Sequence, residues 1–80
     1  MDEILMLINE FEKRNNMSIA FTMYNDGSYS VNEFWDNESL DGGNSVGELK
    51  SFLRETQYKL DENGRSYSPC IKLPNPELLK

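Results

Sequence analysis

The spacing of hydrophobic residues changes period along the chain, and the changes mark out its elements. From residue 2 to 15, Ile4, Leu7, Ile8 and Phe11 recur at intervals of three and four, the repeat of one helical face. Asp2 and Glu3 stand where a helix dipole is positive, and Lys13 and Arg14 where it is negative. Asn15-Asn16 reads as the stop. From residue 17 the period drops to two. Met17, Ile19, Phe21 and Met23 alternate with Ser18, Ala20, Thr22 and Tyr24, as in a strand with one buried face. Asn25-Asp26-Gly27 follows as a turn, and residues 28–35 alternate again.

The length of that turn decides the hairpin register. A two-residue loop at Asp26-Gly27 would set Phe21 opposite Asn32 and Met23 opposite Ser30. A three-residue loop, with Gly27 left-handed, sets Met23 opposite Tyr29, Phe21 opposite Val31 and Met17 opposite Trp35. Only the second joins the apolar positions into one face, so it is the register predicted. It turns Trp35 inward and puts Phe34 and Tyr24 on the other sheet face. That face is open to water, or Phe34 is covered by the next loop or the C-terminal tail. Glu33 falls opposite Ile19 on the core side, which places it at the rim or beside a bulge near Glu33-Phe34.

Residues 36–44 read as a polar loop containing Gly42-Gly43. Ser45-Val46-Gly47-Glu48 is a capping box, in which the Ser45 hydroxyl accepts from the Glu48 amide and Glu48 reaches back. The helix it opens runs to about Leu60, with Val46, Leu49, Leu53, Thr56 and Leu60 as its stripe, widened by Phe52, and Asn63-Gly64 as its end. Residues 66–73 would add a third strand, at an edge because Pro69 has no N–H to donate. Pro74 and Pro76 mark residues 74–80 as a tail. The expected fold is therefore α+β: one domain over residues 1–73, in the order α-β-β-α-β, an antiparallel hairpin with two helices packed on one face.

Composition narrows the function classes. Eighty residues make one small domain, with no room for a deep enclosed cavity. There is no His, so the side chain best suited to proton transfer near neutral pH is missing, and one Cys cannot build a zinc site or an intrachain disulfide. A reducing compartment, the cytoplasm, is expected. The longest apolar run, Ile4–Ile8, is far short of the ~20 residues that span a bilayer, and it follows Asp2 and Glu3 where a secretory signal would be basic. Net charge is −6, and it is lopsided: residues 1–41 hold nine acids against two bases, residues 42–80 five acids against six bases. Such a surface repels phosphate backbones, which disfavours direct nucleic-acid binding, and attracts a basic partner or simply keeps the chain soluble.

Three groups of residues carry candidate chemistry. Asn37, Ser39, Asp41 and Gly42, with Glu48, match positions of a calcium-binding loop, but Asn stands first, Asn44 replaces an apolar residue, and Glu48 already serves the cap. Glu33, Asp36, Glu38 and Asp41 form a carboxylate cluster in polar surroundings, which reads as an acidic surface before it reads as an acid–base pair. Cys70 has Lys72 nearby and no His to act as base, so it reads as a plain small side chain. No cofactor, metal or catalytic residue is expected.

The stretches Phe11-Glu-Lys-Arg-Asn-Asn-Met-Ser-Ile, Tyr24-Asn-Asp-Gly-Ser, Glu33-Phe-Trp-Asp, Leu53-Arg-Glu-Thr-Gln-Tyr-Lys-Leu and Asn63-Gly-Arg resemble small acidic orphan proteins of phages and prophages of Gram-positive bacteria. The resemblance implies a protein acting in the host cytoplasm, by binding and blocking a host protein. Some such inhibitors mimic the charge of DNA, a reading that the modest net charge weakens. The expectation is a non-enzymatic protein-binding module that meets a basic surface of a host protein through Glu33, Phe34, Asp36, Glu38 and Asp41. The alternative is an accessory protein that self-associates through the open sheet face, which leaves monomer or homodimer open.

Overall fold

A computed structural model describes residues 3–74 of the chain. Helix α1 spans Glu3–Asn15, strands β1, β2 and β3 span Ile19–Met23, Tyr29–Glu33 and Ser39–Gly43, and helix α2 spans Val46–Glu55. The strands form one antiparallel sheet in the order β1-β2-β3. The α+β class holds, with the order α-β-β-β-α in place of α-β-β-α-β. Both helices lie on one face, where Leu7, Phe11, Tyr29, Val31, Leu49, Phe52, Leu53 and Tyr58 make the core. Phe11 sits at its centre, with its ring 5.2 Å from that of Phe52 and 6.2 Å from that of Tyr58.

The β1–β2 hairpin has the predicted register. Met23 pairs with Tyr29, Phe21 with Val31 and Ile19 with Glu33. Gly27 closes the turn at φ +91°, a conformation that a Cβ disfavours. Asp26 holds it by accepting from both the N–H and the hydroxyl of Ser28. The other face of these strands presents Ala20, Thr22, Ser30 and Asn32, none of them fully buried.

Three expectations need correction. The first is the loop over 36–44. Asn37, at φ +56°, closes a tight turn, Glu33 N–H donates to Glu38 C=O at 2.7 Å, and Ser39–Gly43 returns as β3 across a bulge between Val31 and Asn32. A side chain at Gly43 would crowd its neighbours: a Cβ there would come within 2.8 Å of the Tyr29 hydroxyl and 2.5 Å of Glu48 Oε1. The second is the end of α2, which stops at Glu55 and not near Leu60. The Arg14 guanidinium takes the carbonyls of Leu53 and Thr56 at 2.6 and 3.0 Å, and buried Asn15 accepts from Tyr58 N–H at 2.6 Å, drawing the chain out of the helix. The third is the strand over 66–73. Residues 57–73 fold back on themselves through single bridges, Leu60 with Ser66 and Tyr58 with Lys72, and Asn63-Gly64 is the turn between them. Residues 75–80 of the expected tail lie outside the described residues.

The capping box forms at the predicted place. Ser45 Oγ accepts from Glu48 N–H at 3.2 Å, while the Glu48 carboxylate reaches one residue further back, to Asn44 N–H at 3.0 Å.

Candidate functional site

The turn between β2 and β3 gathers the most exposed aromatic surface. β2 ends at Glu33 because the chain must reverse there to lay down β3. The reversal takes Trp35 out of register with Met17, so it faces solvent and not the core as expected. Trp35 is 76 % exposed and Phe34 54 % exposed. Their rings meet edge to face at 5.0 Å, a favoured arrangement for an aromatic pair. The backbone beneath them is fixed at several points. Phe34 N–H donates to Ser18 C=O at 2.8 Å, Asp36 N–H to Glu33 Oε1 at 2.5 Å, and Asn32 Nδ2 to Asn37 Oδ1 at 3.0 Å.

The five residues expected to meet a partner divide into two sets. Phe34 and Asp36 lie exposed at this turn. Glu33, Glu38 and Asp41 carry structural hydrogen bonds. Glu33 remains on the core side, 9 % exposed, at the end of β2, where its carboxylate accepts from Asp36 N–H. Glu38 Oε2 accepts from Cys70 N–H at 2.7 Å, tying the 57–73 segment to the turn. Asp41 Oδ2 accepts from the Tyr29 hydroxyl at 2.7 Å. Trp35 joins the site as the residue that sequence reasoning missed. Strand alternation alone sends Phe34 outward and Trp35 inward, and only the turn that leads into β3 brings Trp35 out as well.

A cleft of about 620 Å³ opens beside Trp35, lined by Glu12, Met17, Glu33, Asp36 and Arg65 among others. A second, of about 600 Å³, is lined by Tyr29, Asp41, Glu48 and Lys72 among others. Burial, with the bond to Asp41, pushes the Tyr29 phenol well above its ordinary range, so its hydroxyl is a fixed donor. Burial, then the neighbouring charge of Glu38, pushes the Cys70 thiol up, away from the thiolate a nucleophile needs. The calcium pattern is spread along β3, whose successive side chains point to opposite faces, and Asn37, Asp41 and Glu48 are engaged in the hydrogen bonds given above.

No protein family, curated protein or solved structure matches the chain. Among the described residues no helix is long and apolar enough to cross a membrane.

Proposed function

We propose that the chain is a non-enzymatic protein-binding module whose contact surface is the β2–β3 turn, with Trp35 and Phe34 as apolar anchors and Asp36 as their acidic flank. Its partner is a host protein that offers an apolar pocket rimmed by Lys or Arg. The observation that carries this reading is Trp35, 76 % exposed yet packed edge to face against Phe34 over a turn held by hydrogen bonds. Trp is large, rarely so bare, and the residue most enriched where binding energy concentrates. A preorganised turn loses little entropy when it docks. The acids Glu12, Glu33 and Asp36 around the neighbouring cleft give the surface its sign, and the phage-type resemblance supplies the host context. Self-association through the open sheet face draws less support, because between Tyr24 and Phe34 at its ends that face offers only Ala20, Thr22, Ser30 and Asn32.

The test is kinetic. A partner is captured from host lysate and measured by surface plasmon resonance against wild type, Trp35→Ala and Asp36→Lys. Trp35→Ala should raise the dissociation rate by an amount worth about 2 kcal/mol or more. Asp36→Lys should slow association and flatten its salt dependence. A partner that binds Trp35→Ala as well as wild type places the contact surface elsewhere.

A further inference from the structure

The cleft beside Trp35 carries unbalanced charge. Its walls bring together three acids, Glu12, Glu33 and Asp36, and one base, Arg65. Among the described residues none of the four enters an ion pair. Glu33 is the acid that most needs a counter-charge. It is nine-tenths buried, and a charge withdrawn from water is costly unless one of opposite sign meets it. Its Oε1 accepts from Asp36 N–H, while its Oε2 has no hydrogen bond among the described residues. No unpartnered polar side-chain atom is sealed away from solvent among those residues. Glu33 Oε2 therefore opens onto the space that its side chain lines, which is the cleft. The walls are held in place. Phe34 N–H donates to Ser18 C=O at 2.8 Å, and Asn16 Nδ2 donates to Gly64 C=O, beside Arg65.

We propose that this cleft receives an arginine side chain of the protein partner, its guanidinium donating to Glu33 Oε2 and lying against the Trp35 ring. The proposal rests on the reading of the Phe34–Trp35 turn as the contact surface, and it names the group that the partner supplies there. Three acids against one base leave two negative charges in excess, so the occupant is a cation. A bare metal ion does not fit, because among the described residues no three acids converge closely enough to hold one. The acids are instead spread around a cleft of about 620 Å³ beside an exposed indole, which suits an organic cation on a flexible stem. Arginine answers this better than lysine. Its planar fork of donors reaches separated acceptors, it stacks on an aromatic face, and it gives up water more easily than an ammonium. Met17 offers an apolar wall for the methylene stem. Glu12 and Asp36 contribute field, Glu12 while its Oε2 accepts from Ile19 N–H at 2.9 Å.

The full chain is titrated with arginine blocked at both ends, N-acetyl-arginine amide, and followed by heteronuclear NMR at constant ionic strength. The Trp35 indole and the Glu33 and Asp36 amides should shift together and saturate, with a Kd on the order of 10–100 mM for one such side chain. The blocked lysine should bind several-fold more weakly, and the neutral blocked norleucine should not bind. Glu33→Gln keeps an acceptor for Asp36 N–H and removes the charge, so it should weaken arginine binding about fivefold or more. Where Glu33→Gln fails to fold, Asp36→Asn, exposed and free of side-chain hydrogen bonds among the described residues, should weaken it in the same direction. No saturable shift, an equal response to norleucine, lysine binding as tightly as arginine, or a charge-neutral variant that binds arginine as well as wild type overturns the proposal. The captured partner separates this failure from that of the contact surface. A partner that loses affinity for Trp35→Ala and not for Glu33→Gln overturns the arginine site and leaves the Phe34–Trp35 surface standing. A partner indifferent to Trp35→Ala overturns both.

Discussion

Replacing Asn15 by Ala tests the device that joins α1 to the segment after α2. Asn15 is fully buried. Its Nδ2 donates to the carbonyls of Phe11 and Thr56, both at 3.2 Å, and its Oδ1 accepts from Tyr58 N–H at 2.6 Å and Gln57 Nε2 at 3.1 Å. Most of these groups have a second partner. Thr56 C=O keeps the Arg14 guanidinium, and Gln57 Nε2 keeps the carbonyls of Arg14 and Tyr58. Tyr58 N–H does not, and an unsatisfied buried donor costs about 1–3 kcal/mol. The void left by the amide adds about 1 kcal/mol. The expected loss is therefore about 3 kcal/mol, from a total that for a domain of this size is roughly 5–10 kcal/mol. Urea denaturation followed by far-UV circular dichroism is the assay, and with a slope of about 1 kcal/mol/M the midpoint should fall by about 3 M. The Tyr58 amide should lose its protection from hydrogen exchange in the same variant. A loss below about 1 kcal/mol would refute the argument, because the Tyr58 amide would then have found another acceptor.

Three further outcomes follow from the same geometry. Gly27→Ala should destabilise the fold by about 1 kcal/mol or more, measured in the same urea assay, because φ at that position is +91°. Ser45→Ala should cost about 1 kcal/mol by leaving the Glu48 amide without its cap, and a neutral result would mean that α2 does not depend on Ser45. Burial pushes the Tyr58 phenol from 10.0 to about 12, and burial with the Asp41 bond pushes Tyr29 up as well. Above pH 10 the unfolded chain releases these protons first, so stability should fall as pH rises from 10 through about 12, with no loss from these groups below 10. Tyr58→Phe should flatten that alkaline slope.

What could be read from the chain follows the range of the interactions involved. The hairpin register was legible because alternation and Asn25-Asp26-Gly27 are local, and only one turn length unites Phe21 with Val31. The start of α2 was legible for the same reason, since Ser45 and Glu48 lie three residues apart. The end of α2 was not. Its helix formers Gln57, Lys59 and Leu60 are overruled by Arg14 and Asn15, some forty residues away in sequence. β3 was hidden because Gly42 and Gly43 carry no side chain to mark its alternation, and the bulge at Val31/Asn32 breaks what pattern remains. Concealing β3 also concealed the turn before it, so Trp35 was placed in the core. Phe34 was found from the strand alternation that turns it to the open sheet face, and Asp36 as one of a cluster of acids beside it. The structural duties of Glu33, Glu38 and Asp41 could not be, because their donors come from Asp36, Cys70 and Tyr29 through the fold.

The central claim, that the Phe34–Trp35 turn is the contact surface, is reached most directly through the chain's single tryptophan. Acrylamide quenching of its fluorescence reads the exposure of Trp35 and of nothing else. In the isolated protein Trp35 should quench almost as readily as free indole, and with the captured partner at saturation its emission should shift to the blue and the quenching should fall several-fold. Quenching that is unchanged in the complex would contradict the account.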